Sequence, residues 1–141
     1  MSSRVLQGRC LCGSVRYQCD IAATHACYCH CESCRRASGA HVVGWITVPR
    51  ESFRLISGSL REYASSPPVL RQFCGRCGSP ITYWNKNTLD TIDVTVGTLD
   101  RPEWVEFTDH IWMEDAPPWD RPRDGLPQFR TGRAAGQRFD T

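Results

Sequence analysis

The chain has 141 residues, 40% hydrophobic, 23% charged and 10% aromatic, which suffices for one core of roughly 100–150 residues and not for two. Seventeen basic against fifteen acidic side chains leave a formal net charge of +2, so the one-sided charge of a nucleic-acid-binding arm or a polyanionic tail is excluded. No apolar run approaches the roughly 18 residues of a membrane helix and residues 1–9 lack the apolar stretch of a signal peptide, so a cytoplasmic protein without a membrane partner is expected.

Alternation of apolar and polar residues, punctuated by Gly, Pro or Ser, predicts strands over 14–19, 42–48, 53–56, 60–63 and 69–73. Further strands are predicted over 81–84, 91–96 and 107–112. One short helix is predicted over 32–38, closed by Gly39 in the place of a left-handed cap residue. Ser57-Gly58-Ser59 reads as a hairpin turn between two strands, and Asp100-Arg101-Pro102 as another break. Past Glu114, the prolines at 117, 118, 122 and 127 forbid regular structure. The expectation is a mainly β fold with one short helix, a single domain over 1–130 and a mobile tail over 131–141.

Nine cysteines stand at 10, 12, 19, 27, 29, 31, 34, 74 and 77. The number is odd, no secretion signal supplies an oxidising compartment, and all but Cys19 lie two or three residues from another. Thiolates at that spacing converge on a tetrahedral zinc ion at roughly 2.3 Å per bond, whereas disulfides between such near neighbours are strained. The familiar ferredoxin spacings are missing, which favours zinc over an iron–sulfur cluster. Isolated Cys19 reads as a small buried hydrophobe.

The pairs Cys10-Leu11-Cys12 and Cys74-Gly75-Arg76-Cys77 are each followed by a glycine that lets the chain turn with positive φ, and together they make a four-thiolate, saturated, structural zinc site. The second cluster is Cys27-Tyr28-Cys29-His30-Cys31-Glu32-Ser33-Cys34. Alternation puts Cys27, Cys29 and Cys31 on one face, and Cys34 swings back as the helix begins. Cys29, Cys31 and Cys34 form one ligand set, and three protein thiolates leave a coordination position for a catalytic zinc. Two alternatives stay open: Cys27 completes a saturated site, or Cys31 and Cys34 join Cys74 and Cys77 in a ribbon-type site. His30 should point away from the sulfurs, while His25 and His41 read as surface or loop residues. Arg35 and Arg36 are candidates to dock a substrate carboxylate through a forked pair of hydrogen bonds, and Trp45, Trp112 and Trp119 to wall a pocket.

With Gly8-Arg9-Cys10-Leu11-Cys12-Gly13, Cys29-His30-Cys31-Glu32-Ser33-Cys34 and Phe73-Cys74-Gly75-Arg76-Cys77-Gly78 in this order, the chain resembles the glutathione-dependent formaldehyde-activating enzyme family, which also includes centromere protein V. The likeness extends through Ser38-Gly39-Ala40, His110-Ile111-Trp112 and Ala116-Pro117-Pro118-Trp119 to the run ending at Phe129. It implies a β-tent fold of several small antiparallel sheets, held by two zinc ions per chain. Cys10, Cys12, Cys74 and Cys77 match the structural ion, and Cys29, Cys31 and Cys34 the second, catalytic one. It implies a carbon–sulfur lyase that adds the glutathione thiol to formaldehyde, giving S-hydroxymethylglutathione. The partners expected are a small thiol such as glutathione and a small carbonyl compound; nucleic acid is not expected, and assembly into a homo-oligomer stays open. The rival reading is an interaction module in which both zincs are structural.

Overall fold

The computed structural model describes residues 4–21 and 26–139; His25, expected at the surface or in a loop, lies outside them. Ten strands and one α-helix follow one another: β1 (Arg4–Arg9), β2 (Arg16–Ile21), β3 (Ala26–Cys29), α1 (Glu32–Ser38), β4 (Val43–Pro49), β5 (Arg54–Ser57), β6 (Leu60–Ser66), β7 (Val69–Cys74), β8 (Pro80–Asn85), β9 (Thr91–Thr95) and β10 (Phe107–Ile111). The mainly β architecture expected from the sequence is present, with the single helix where Gly39 caps it at φ 77°. No helix among the described residues is long and apolar enough to cross a membrane.

The strands form a three-stranded sheet, β1-β2-β5, and a seven-stranded sheet, β10-β3-β4-β9-β8-β7-β6. Among the described strands the pairings are antiparallel except that β10 runs parallel to β3. The hairpin expected around Gly58 is not formed. β5 pairs with β2 and β6 with β7, so the turn passes the chain from one sheet to the other. Ser57 is drawn to the first sheet, where its hydroxyl donates to the Ser14 carbonyl at 3.1 Å.

The core fills the space between the sheets: Leu6, Tyr17 and Cys19 from the smaller one meet Ile46, Val48 and Val94 from the larger. Cys19 is fully buried there, as its isolation in the sequence suggested, and burial pushes its thiol up to about 12. Strand β1 escaped the sequence pattern because one of its inward positions is Gly8. A Cβ there would stand 2.3 Å from the Tyr17 ring, so Tyr17 of β2 occupies the space that a hydrophobic side chain would otherwise advertise.

The large sheet has a second working face. Directly opposed residues of neighbouring strands share a face, and the register runs Cys27 to Trp45, then Thr47 to Asp93, Tyr83 and Arg71 across β4, β9, β8 and β7. Cys29, Cys34, Val43 and Trp45 make a small separate cluster on this side, under α1. Beside it, Trp112, Met113 and Glu114 donate their backbone N–H groups to Thr131, Phe129 and Arg130, and within the segment 131–139 Arg133 grips Asp109 with two nitrogens, Nη2 to Oδ1 at 2.8 Å. Asp140 and Thr141 lie outside the described residues.

Candidate metal centres and pocket

The turn after β1 and the turn after β7 bring Cys10, Cys12, Cys74 and Cys77 together, all four Sγ atoms within 4.8 Å of one another. Two of these separations are 3.5 and 3.9 Å, against about 3.8 Å for the edge of a tetrahedron with 2.3 Å metal–sulfur bonds. The donor set therefore fits a tetrahedral thiophilic ion. Gly13 and Gly78, one after each pair, have φ of 80° and 82°, the turn that the sequence asked of them. Hydroxyl groups surround the sulfurs. Ser14 beside Cys74 holds that thiol down at about 7, and Ser79 beside Cys77 holds it at about 5, since a hydroxyl donor favours the thiolate.

Cys29, Cys31 and Cys34 form a second group, again with their sulfurs within 4.8 Å of one another. Cys29 ends β3, and Cys31 is the N-cap of α1, its Sγ accepting from the Cys34 N–H at 3.3 Å. The three sulfurs share their protons: the hydrogen bond between Cys29 and Cys31 holds the Cys31 thiol down and pushes that of Cys29 up. The group is compact enough for one ion and supplies three donors. Cys27 lies outside it, one pleat back along β3, where burial pushes its thiol up to about 12. Cys31 and Cys34 stand apart from Cys74 and Cys77, so the ribbon-type partition is not the one that the fold makes.

These three sulfurs line a cavity of about 260 Å³ together with Cys27, Ser33, Trp45, Tyr83, Asp93, Ile111, Trp112 and Asp115. Trp45 and Trp112 thus wall the pocket as expected, but Trp119 does not. It is 71% exposed, edge-on to His41 at 5.3 Å. Trp112 is the one non-glycine residue with positive φ among the described residues, at 61°. That left-handed turn ends β10 and starts a 3₁₀ turn, Met113–Asp115, which brings Asp115 to the rim. Its Oδ2 accepts from the Glu32 N–H at 2.9 Å, tying the rim to the start of α1.

Neither Arg35 nor Arg36 lines the cavity. Arg36 lies on the exposed side of α1, paired with Glu32 at 2.9 Å, because helical rotation turns residues 35 and 36 away when Cys34 faces inward. The guanidinium at this site comes instead from Arg71 of β7. Both its terminal nitrogens lie 3.7 Å from the Cys34 sulfur, Nη2 donates to Ser33 Oγ at 3.1 Å, and Nε donates to Ser65 Oγ at 3.2 Å. Its carbon stacks over Tyr83 at 4.9 Å. Only its alternation on β7 hinted at this position. Asp93, opposite Tyr83, accepts from Thr47 Oγ1 at 2.7 Å, and burial pushes its carboxyl above the ordinary range.

His30 points away from the sulfurs, as alternation required. Its Nδ1 meets Asp120 Oδ2 at 2.7 Å and its Nε2 meets His110 Nδ1 at 2.9 Å, and His110 Nε2 meets Asp124 Oδ2 at 2.8 Å. Asp120, His30, His110 and Asp124 thus form one hydrogen-bonded chain, in which burial pushes the His30 imidazole below its ordinary range. It ties the residue between Cys29 and Cys31 to the C-terminal segment. Replacing His110 by Ala leaves buried His30 Nε2 without a partner, and we expect a loss of about 1–3 kcal/mol in chemical denaturation. An unchanged midpoint would show that the chain carries no load.

The sequence pattern of the glutathione-dependent formaldehyde-activating enzyme family matches residues 5–115. No curated protein gives a significant match. Among solved structures, a protein of Rhodobacter sphaeroides is similar in fold, with a TM-score of 0.56 and 23% sequence identity, the match covering 72% of this chain and 96% of that one.

Proposed function

The chain belongs to the glutathione-dependent formaldehyde-activating enzyme family, and from that premise we propose that it is a zinc-dependent enzyme of the carbon–sulfur lyase type that joins a small thiol, glutathione or a close analogue, to formaldehyde or another small carbonyl compound, or cleaves the adduct. The observation that carries this reading is the three-sulfur group on the wall of a cavity. A closed, structural site would need a fourth protein donor, and Cys27, the remaining cysteine of that segment, stands outside the group of converging sulfurs.

Cys10, Cys12, Cys74 and Cys77 would hold a structural zinc, and Cys29, Cys31 and Cys34 a second, catalytic one. When bound there, zinc stabilises a fourth sulfur as its thiolate near neutral pH. Around that place the chain's own residues have separate tasks. Arg71 sets a positive charge against Cys34 and offsets part of the excess negative charge of three thiolates. Trp45, Ile111 and Trp112 keep water from the carbonyl carbon. As the S–C bond forms, the carbonyl π pair moves to oxygen, which then takes a proton. Asp93, on the cavity wall, oriented by Thr47 and held toward its neutral form by burial, would donate that proton to the oxygen and regain one from the thiol.

Asp93→Asn is therefore expected to lower turnover about 100-fold with the zinc content unchanged; turnover at the wild-type rate would remove Asp93 from the mechanism. The activity itself is tested with zinc-loaded protein, glutathione and ¹³C-formaldehyde. Exchange between the free and thiol-bound carbon signals should quicken in proportion to protein concentration, and no acceleration with any small thiol would overturn the assignment.

A further inference from the structure

Among the described residues lining the cavity, the charged side chains other than cysteine are two carboxylates, Asp93 and Asp115, and no Lys, Arg or His is present. Of the nearby guanidiniums, Arg71 is engaged by Cys34, Ser33 and Ser65 and Arg133 by Asp109, while Arg35, whose Nε is buried without a partner, does not line the cavity. An anionic end of a thiol substrate thus meets no counter-charge inside the pocket, whereas a nitrogen carrying hydrogen meets an acceptor. The two carboxylates differ. Asp93 takes its hydrogen bond from Thr47 and is held toward neutrality by burial. Asp115 uses only Oδ2, for the Glu32 N–H, and Oδ1 has no partner among the described residues.

The placement of Asp115 relative to the sulfurs is fixed through α1. Its carboxylate binds the N–H of Glu32, and the preceding residue is Cys31, whose sulfur binds the N–H of Cys34. Carboxylate and sulfur therefore flank the same helix start and face the same cavity. In a thiol seated against the three sulfurs, a nitrogen two carbons away lies roughly 3–4 Å from the sulfur, and Asp115 is the lining carboxylate tied to the helix start that carries Cys31 and Cys34.

We propose that Asp115 is a specificity-determining residue that receives, at Oδ1, the nitrogen borne two carbons from the substrate sulfur, so that the site takes 1,2-aminothiols and their N-acyl derivatives in preference to thiols bearing a hydroxyl or carboxylate there. The inference rests on the thiol-binding reading above and narrows its substrate class. An ammonium or amide N–H donating to a carboxylate is a charge-assisted bond of about twice the strength of a neutral one. A carboxylate in the nitrogen's place would instead be repelled. Glutathione belongs to the favoured class through its cysteinyl amide N–H.

The test uses holoprotein with cobalt in place of zinc, titrated with cysteamine, N-acetylcysteamine, 2-mercaptoethanol and 3-mercaptopropionate, compared at equal thiolate concentration through the sulfur-to-cobalt charge-transfer band. The two nitrogen-bearing thiols should bind about tenfold more tightly than 2-mercaptoethanol, with 3-mercaptopropionate weakest. In Asp115→Asn, whose amide oxygen still accepts from Glu32, the preference for cysteamine should fall to within about threefold while 2-mercaptoethanol binding is unchanged. Equal binding of the four thiols by the wild-type protein, or an Asn variant that weakens all four alike, would overturn the proposal and leave thiol binding standing. Failure of every thiol to alter the spectrum would bring down the parent reading and this one together.

Discussion

Cys74→Ser should leave the protein unfolded at room temperature, with both ions lost and the dispersed amide spectrum collapsed. Cys74 is buried at the junction of β7 with the turn that returns to β8, and its sulfur meets those of Cys10 and Cys12 from more than sixty residues away in sequence. The site joins the chain start to its middle, so an ion bound there closes a long loop that the smaller sheet alone would have to hold. A structural zinc contributes apparent binding energy of about 10–16 kcal/mol in small domains, comparable to or larger than the whole 5–15 kcal/mol stability of a typical domain. Chelation of the wild-type protein should give the same collapse. A folded Cys74→Ser protein retaining one ion would show that the sheets close without the clamp.

Cys31→Ser should behave in the opposite way: about one ion per chain is lost, thiol-dependent activity falls to the uncatalysed level, and the fold survives. Its serine oxygen can still cap α1 by accepting from the Cys34 N–H, the role that the Cys31 sulfur has now. The cluster sits on the outer face of the large sheet, away from the core between the sheets. Metal analysis and thermal melting of the same sample separate the two effects. Loss of both ions with global unfolding would mean that the second cluster is part of the clamp.

The contrast follows from where each cluster stands, and that was only partly legible in the sequence. Cysteine spacing, the glycines at 13 and 78 and the helix closing at Gly39 are local signals, and they anticipated how the sulfurs would group and where the helix would end. The strands with clean alternation, such as β4 and β7, were equally readable. What was lost is what depends on distant chain segments. Gly8 hides β1 because the side chain filling its place belongs to β2. The turn at 57–59 looked like a hairpin, but the competing partner, β2, lies more than thirty residues earlier. Arg35 and Arg36 were attractive as neighbours of Cys34 in sequence, yet β7 supplies the guanidinium that reaches that sulfur. Asp93 and Asp115 arrive from β9 and from the turn after Trp112, and no spacing rule connects them to the cysteines they accompany. The tail composition suggested little to bury, but its arginine and backbone groups find partners on β10 and the turn beyond it.

X-ray absorption at the zinc edge, on protein loaded with two equivalents of zinc before and after addition of a small thiol, bears most directly on the proposed division of labour between the clusters. Seven cysteines shared between two ions give an average of three and a half sulfur neighbours per zinc, and the thiol should raise that average to four as it replaces a lighter donor. Four sulfurs per zinc at the outset, unchanged by any thiol, would mean that both ions are enclosed by the chain and that the pocket beside Cys29, Cys31 and Cys34 has no thiol chemistry to perform.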